Sequence, residues 1–264
     1  MAIGTEVADP LVIGGKAFAS RLIHGTGRYP SNRILADCLA AARPGIITLA
    51  VRRLGLDSDA GSELSDIDLS AFHLLPNTAG ATTVEQAVRL ARLGRAAGLS
   101  DFVKVEVIGD DETLLPDPGA TLEATRLLVA EGFTVLPYSS DDVVQCIRLQ
   151  EAGAAAVMPL AAPIGSNLGV LNPTNIRLII RKLSCPVIVD AGLGVPSDAA
   201  RCMEWGAAAV LVNSAIAGAQ DPPQMARAFA EAVVAGRRAF LAGRAPVGGV
   251  ALASSPSDGL PGQP

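Results

Sequence analysis

Aromatic residues make up only 3% of this 264-residue chain, although half of its residues are hydrophobic. The core must therefore be built from Ala, Val, Leu and Ile, a composition typical of parallel strands that helices cover on both faces. Histidine occurs twice and cysteine four times, with no CxxC spacing. This supply does not favour a zinc site and predicts reduced, structural cysteines, so we expect no metal on this chain.

Long apolar runs and an excess of positive charge are also missing. No uncharged segment reaches the roughly 18 residues needed to span a membrane, and the N-terminus lacks a basic stretch followed by an apolar run. A net charge of −5 and an isoelectric point near 5.1 argue against a nucleic-acid partner. We therefore expect a cytoplasmic protein with no nucleic-acid or membrane partner, while a small phosphorylated ligand stays compatible with this charge.

About eight strand-then-helix units run through residues 21–243 without a break between domains. Helices are predicted to start at Ser31, at Thr82 or Thr83, and near Asp117. Strands six and seven are predicted over 155–159 and 186–190, and a polar loop over about 54–70. Repeated units of this kind require parallel strands with right-handed crossovers, and the length suits one closed (β/α)8 TIM barrel. A doubly wound sheet is the alternative, but its nucleotide-binding turn would fall at 25–27, where Pro30 replaces the third glycine. The sequence predicts an α/β barrel with a short arm over 1–20 and a flexible, low-complexity tail over 244–264.

In such a barrel the chemistry lies at the carboxyl-terminal mouth, where the strands end. Strand seven ends at Asp190 and precedes Ala191-Gly192, and strand eight precedes Asn213-Ser214 at the start of a short helix. Small residues let the backbone approach a phosphate, and the start of a helix aims N–H groups at it. Together with Gly165, after strand six, these turns predict a phosphate site, although tight turns without a ligand would have the same residues.

Lysine is scarce, because the chain has 18 Arg but only Lys16, Lys104 and Lys182. Lys104 is the one placed in a barrel strand, predicted over 102–107, in which Glu106 points to the same side. A guanidinium group cannot form a Schiff base with a ketone. A reaction that needs a primary amine would therefore use Lys104.

Two interpretations of these charges stay open. Lys104 and Glu106 at this spacing are also explained by a structural ion pair. Asp190, at a strand end, is a candidate acid/base group or a partner of a helix dipole. For an amine catalyst, burial and a cation such as Arg52 would lower the pKa of Lys104, whereas Glu106 would raise it.

With these residues in place, the sequence resembles the thiazole synthase family over roughly residues 11–244, in collinear order. The blocks that carry the resemblance are GTG at 25–27, TLAVRR at 48–53, LLPNTAG at 74–80, VKVEV at 103–107, LLPDP at 114–118, EGFTVLPY at 131–138, AAVMPL at 155–160, APIGS at 162–166, VIVDAGLG at 187–194 and VLVNSAIA at 210–217. No single block is decisive, but their number and order make the resemblance specific.

The resemblance implies a homo-oligomer, a tetramer in preference to a dimer, that makes the thiazole phosphate of thiamine. Its substrates would be 1-deoxy-D-xylulose 5-phosphate, dehydroglycine (2-iminoacetate) and sulfur from the C-terminal thiocarboxylate of a ubiquitin-like carrier protein. The family's imine-forming lysine falls on Lys104, and its acid/base carboxylates fall on Glu106 and Asp190. Its sugar-phosphate contacts fall on Gly165, Ala191, Gly192, Asn213 and Ser214. No cofactor is implied on this chain, and a glycine oxidase or a tyrosine lyase would supply dehydroglycine.

Two other functions stay open on the sequence alone. One is a different phosphate-binding Schiff-base barrel, such as an aldolase, which would turn over without a sulfur carrier. The other is a silent barrel that only docks the carrier protein or an oxidase. The presence of Lys104, Glu106 and Asp190 counts against the silent barrel, because a scaffold would tolerate their loss.

Overall fold

Eight parallel strands follow one another in chain order and close around a central axis. The computed structural model describes residues 9–53 and 67–250. An antiparallel hairpin comes first, formed by β1 (Leu11–Ile13) and β2 (Lys16–Phe18). The barrel strands are β3 (Leu22–Gly25), β4 (Ile46–Ala50), β5 (His73–Asn77), β6 (Phe102–Val105), β7 (Thr134–Ser139), β8 (Met158–Pro159), β9 (Ile188–Val189) and β10 (Ala209–Val212).

Closure of the ring takes place between β8 and β9. Each strand from β3 to β7 pairs with the next one in the chain, and β10 lies between β3 and β9. Parallel bridges from Val157 to Val187 and from Leu160 to Asp190 join the remaining two strands. The N–H group of Asp190 also donates to the carbonyl of Pro159 at 2.9 Å. The predicted (β/α)8 barrel is therefore confirmed.

Helices cover the outside of the barrel. They are α1 (Asn32–Ala42), α2 (Val84–Ala96), α3 (Pro118–Ala130), α4 (Val143–Glu151), α5 (Pro173–Lys182), α6 (Pro196–Glu204), α7 (Ser214–Ala217) and α8 (Pro222–Ala242). The side chains of Ser31, Thr83 and Asp117 accept N–H groups of the first turns of α1, α2 and α3, as the sequence predicts. Among the described helices, none combines the length and the apolar character needed to cross a membrane.

The hairpin closes the amino-terminal end of the barrel. Its buried side chains Leu11, Ile13 and Phe18 join a cluster of aliphatic residues that the barrel strands point inward. Gly14, at the turn of the hairpin, has a φ of +56°, and a Cβ at this position would lie 2.6 Å from Thr134 Cγ2. Only glycine fits that approach. Because this end is filled, the opposite, carboxyl-terminal end is where a ligand can enter.

Strand β6 has the alternation that its sequence predicts. Val103, Val105 and Val107 pack outward against α2 and α3, and Lys104 points into the barrel. The strand ends at Val105, two residues earlier than predicted, because the backbone of the next residue bonds to a side chain. The N–H group and the carbonyl of Glu106 both bond to the hydroxyl of Thr78, each at 2.8 Å, in place of a neighbouring strand.

Other boundaries differ from the sequence-based prediction by a few residues. Strands six and seven, predicted over 155–159 and 186–190, contain only two residues each, because the contacts at the closure are isolated bridges. All four cysteines are free, as predicted. Residues 244–250 are exposed and form no helix or strand. Residues 251–264 and the part of the predicted polar loop at 54–66 lie outside the described residues, so the boundaries of arm, barrel and tail stay predictions.

Candidate active site

Lys104 lies inside the barrel between two carboxylates. Its Nζ atom is 2.6 Å from Asp190 Oδ2 and 3.2 Å from Glu106 Oε1. The three residues are only 5%, 2% and 6% exposed, respectively. Glu106 directly continues β6, whereas Asp190 follows β9, so the closed barrel brings together groups that are distant in sequence. The ion pair that the sequence left open is present, and it includes a second carboxylate.

The two carboxylates determine the charge of Lys104. Burial acts to lower the pKa of Lys104, but the charges and hydrogen bonds of Asp190 and Glu106 outweigh burial, and the net effect raises the pKa. The side chain is therefore an ammonium ion at neutral pH. The expected contribution of Arg52 is not found, since its guanidinium lies against Gly80, where an added Cβ would overlap it.

The carboxylate of Asp190 is held in a fixed orientation. Its Oδ1 atom accepts the N–H group of Ala191 at 2.6 Å. Its Oδ2 atom is buried and has no hydrogen-bond partner among the described residues apart from its contact with the Lys104 ammonium. One oxygen thus fixes the side chain, and the other faces the Lys104 ammonium.

Thr78 is a component of the site that sequence reasoning missed. Besides its two bonds to Glu106, its own N–H group donates to the carbonyl of Lys104 at 3.1 Å. The hydroxyl and the N–H group of Thr78 together fix the backbone of Glu106 and Lys104. The only signal in the sequence is that Thr78 follows the end of the neighbouring strand β5.

Tyr138 was missed as well. The centre of its ring lies 5.5 Å from Lys104 Nζ, a distance at which the ring face attracts a cation. Burial, and then the charges of Asp190 and Glu106, raise the pKa of Tyr138. The phenol therefore stays neutral at physiological pH and forms one wall of the charged cluster.

A cavity of about 300 Å³ lies at the mouth of the barrel. Its lining includes all eight residues that the sequence singles out, namely Lys104, Glu106, Gly165, Asp190, Ala191, Gly192, Asn213 and Ser214. Thr26, Arg28 and Asn77 also line it. The predicted residues are thus brought together in one place, while the role of each stays a prediction.

The turn after β9 has an unusual backbone. Ala191 and Gly192 have φ values of +52° and +72°, in the left-handed region. A Cβ at Gly192 would lie 2.4 Å from the Cβ of Ala162, so glycine is required there. At Ala191 the same conformation is strained, and backbone strain of this kind concentrates at functional sites.

The turn after β10 leads into the short helix α7, as predicted. Asn213 caps this helix through its backbone, and its side-chain Oδ1 is buried without a hydrogen-bond partner in the described part of the chain. The hydroxyl of Ser214 donates to Asn167 Oδ1 at 2.9 Å. A buried acceptor without a partner is costly, and this oxygen lies against Gly25, where an added Cβ would be 2.9 Å from it.

The described residues contain no group of three or more His, Cys, Asp or Glu side chains that could hold a metal ion. The charged groups that line the cavity are one amine (Lys104), one guanidinium (Arg28) and three carboxylates (Glu106, Asp111 and Asp190). Fold and cavity together define a (β/α)8 barrel with a buried lysine–carboxylate cluster at its carboxyl-terminal mouth.

Comparison with known proteins narrows this class. The model of the family described as thiazole biosynthesis protein ThiG matches residues 12–256, and the chain belongs to this family of thiazole synthases, enzymes of thiamine thiazole biosynthesis. The thiazole synthase of Bacillus subtilis (strain 168) is 54% identical over 252 residues, which cover 95% of this chain and 98% of the relative. The thiazole synthase of Geobacter sp. (strain M21) is 54% identical over 260 residues, covering 98% of this chain and 100% of the relative.

Solved structures agree with the fold. A chain of the Amycolatopsis orientalis BexX/CysO complex is 34% identical, with a TM-score of 0.82, and the match covers 92% of this chain and 100% of that one. The thiamine phosphate pyrophosphorylase of Pyrococcus furiosus, at 14% identity and a TM-score of 0.55, shares the fold alone; the match covers 81% of this chain and 94% of that one.

Proposed function

We propose that the protein condenses 1-deoxy-D-xylulose 5-phosphate, dehydroglycine and sulfur into the thiazole phosphate of thiamine, and that Lys104 holds the sugar phosphate as an imine. The observation that carries this proposal is the position of Lys104, whose Nζ contacts two buried carboxylates in a cavity that also contains the turns at 191–192 and 213–214. The other two lysines, Lys16 and Lys182, do not line this cavity.

The first step would be a proton transfer inside the cluster. A proton moves from Lys104 Nζ to Asp190 Oδ2, and the neutral amine attacks the C2 ketone to give a carbinolamine. Asp190 then protonates the carbinolamine hydroxyl, water leaves, and a protonated imine remains. The lysine contributes two hydrogens and the ketone contributes the oxygen of this water, so Asp190 ends as the carboxylate it was at the start.

Glu106 would act in the next step. It takes the proton from C3 of the protonated imine, which gives an enaminol, and returns it at C2. The proton of the C3 hydroxyl passes to the nitrogen, so that a ketone at C3 and a secondary ammonium at C2 remain. Glu106 is suited to this role because Thr78 fixes its backbone within the cavity wall. The cavity side chains supply the acid and base for both steps, and we propose that no metal or redox cofactor is needed on this chain.

Two partners complete the proposal. A ubiquitin-like carrier protein delivers sulfur as a thiocarboxylate, and a glycine oxidase or a tyrosine lyase supplies dehydroglycine. In support of a protein partner, the relative with 34% identity was solved as a complex of BexX with a second protein, CysO. We further propose that the enzyme is a cytoplasmic homo-oligomer, with a tetramer favoured.

Borohydride trapping tests the imine. Incubation with 1-deoxy-D-xylulose 5-phosphate and borohydride is expected to leave a stable adduct on Lys104 in the unmodified protein and in Lys182→Arg, identified by peptide mass spectrometry. Lys104→Arg keeps the positive charge beside Asp190 but cannot form an imine, so it should give no adduct. An adduct on Lys16 or Lys182 alone, or none in active protein, would overturn the proposal.

Reconstitution with carrier thiocarboxylate and a source of dehydroglycine then tests the complete reaction. The sugar phosphate should be consumed to thiazole phosphate only when the thiocarboxylate is present. Consumption without the carrier would instead indicate an aldolase, and binding of the carrier without any trapped adduct would indicate a docking protein.

A further inference from the structure

We propose that Arg28 is the cation that binds the phosphate group of the sugar substrate and makes the site specific for a phosphorylated ketose. This inference deepens the proposed function and rests on it. Sequence reasoning assigned the phosphate to backbone turns alone, without a basic side chain.

Arg28 stands at the side of the cavity where the phosphate turns lie. It follows β3 and lines the cavity together with Gly165, Gly192 and Ser214. Its Nη1 atom lies 3.7 Å from the position that a Cβ would take at Gly165. The absence of a side chain at Gly165 thus leaves space beside the guanidinium, and a planar fork of donors suits the oxygens of a phosphate.

The charge of the cavity requires such a group. Five charged side chains line it, and only two of them are positive; these five are Arg28, Lys104, Glu106, Asp111 and Asp190. Lys104 is already paired with two carboxylates, whereas Arg28 takes part in no ion pair among the described residues. A phosphate dianion entering this cavity would meet a net negative lining, and Arg28 is the described lining cation that is free to neutralise it.

The backbone at Arg28 points to the same role. Its φ is +67°, a left-handed conformation that is uncommon for a residue other than glycine, asparagine or aspartate. The conformation costs free energy, and it directs an exposed, unpaired guanidinium into the mouth of the cavity. An arginine held in this way without a protein partner is best explained by a ligand.

The closing experiment compares Arg28→Asn with Arg33→Gln. Asparagine tolerates the left-handed backbone, so the first variant removes the charge without adding strain. Arg33 is an exposed residue of α1 and does not line the cavity, so it is a matched control for the loss of one surface charge. Each protein is titrated with 1-deoxy-D-xylulose 5-phosphate and with unphosphorylated 1-deoxy-D-xylulose, and the borohydride adduct on Lys104 is quantified.

In Arg28→Asn the concentration of sugar phosphate that gives half-maximal adduct should rise about 10- to 100-fold, the usual effect of losing a hydrogen bond to a charged group. The concentration for the unphosphorylated sugar should not change, nor should either value in Arg33→Gln. In Arg28→Lys the half-maximal concentration of sugar phosphate should lie between those of the unmodified protein and Arg28→Asn, because lysine keeps the charge but loses the planar pair of donors. Equal effects on both sugars, or no effect on the phosphorylated one, would overturn the proposal.

Binding of inorganic phosphate separates this inference from the Schiff-base mechanism. Calorimetric titration with phosphate requires no reaction at Lys104, so it is informative even if no adduct forms in any variant. We expect binding to the unmodified protein and to Arg33→Gln that is weakened in Arg28→Asn. Phosphate binding that is equal in all three proteins would refute the role of Arg28 and leave the assignment of Lys104 untouched.

Discussion

Replacing Asp190 with Asn removes the carboxylate nearest Lys104 and leaves a side chain of the same shape. At an effective dielectric constant of about 20, unit charges at the 2.6 Å of this pair attract each other by about 6 kcal/mol. At the 3.2 Å that separates Lys104 from Glu106 the attraction is about 5 kcal/mol. Asp190→Asn and Glu106→Gln should therefore both lower the pKa of Lys104, and Asp190→Asn should lower it further.

The difference of about 1 kcal/mol corresponds to a pKa of Lys104 that is about one pH unit lower in Asp190→Asn than in Glu106→Gln. Below these pKa values the fraction of neutral amine, and with it the rate of reductive methylation by formaldehyde and cyanoborohydride, should differ about tenfold. In the double variant Asp190→Asn/Glu106→Gln both carboxylates are gone. Burial alone then acts, and the pKa of Lys104 should fall below its ordinary value.

Methylation is measured by peptide mass spectrometry between pH 7 and about 10. Lys182 is exposed in the same chain, and its methylation should be identical in every variant, which makes it an internal control for the reagent. The expected order of reactivity at Lys104 is the double variant first, then Asp190→Asn, Glu106→Gln and the unmodified protein. If Glu106→Gln reacted faster than Asp190→Asn, or neither reacted faster than the unmodified protein, the geometry of the ion pairs would be refuted.

Two further predictions concern stability against pH. Burial lowers the pKa of His24 to about 4, so the unfolded chain takes up a proton between pH 6.5 and 4 while the folded protein does not. The free energy of unfolding should therefore fall by up to about 3 kcal/mol as the pH falls over this range. In urea titrations His24→Asn should flatten this pH dependence, and an unchanged dependence would mean that the ring is protonated in the native state. Asp9 accepts a bidentate pair of hydrogen bonds from Arg237 of α8, at 2.7 and 2.8 Å. Its pKa is lowered, mainly by these bonds, so Asp9→Asn should cost about 1–2 kcal/mol at neutral pH, and this cost should shrink as the pH falls below 3.8 and through the lowered pKa of the folded protein. An equal cost at neutral and at strongly acid pH would contradict the ion pair.

The fold and the predicted site residues were accessible from the sequence for one geometric reason. Parallel strands in a closed barrel end at the same rim, so residues at or just after the ends of different strands, such as Lys104, Asp190 and Ser214, can be expected to line one cavity before their distances are known. Helix starts at Ser31 and Asp117 were equally readable, because each cap depends on residues within one turn.

Other features depend on distances that a sequence does not contain. Thr78, which follows β5, bonds to the backbone of Glu106, which follows the neighbouring strand β6. Nothing in the sequence around Thr78 indicates this contact. The direction of the pKa shift at Lys104 was open for the same reason, since it depends on a separation of 2.6 Å from Asp190 rather than on the presence of Arg52. Arg28 was missed because its left-handed backbone is a property of the folded turn.

Lys104 is protonated in the free protein, but its proposed reaction needs the neutral amine. The two are compatible if binding of the substrate changes the solvation of the cavity. In the open cavity the charged pair with Asp190 is favoured, because the attraction between the two ions outweighs their burial. A sugar phosphate in this cavity of about 300 Å³ would remove the solvent at its mouth, and this further desolvation favours the neutral amine and the neutral acid. The phosphate charge opposes this transfer by stabilising the ammonium, and Arg28 reduces the opposition by neutralising part of that charge. We infer that binding of the substrate, rather than a permanently lowered pKa, releases the amine, and that loss of Arg28 slows imine formation even at saturating sugar phosphate.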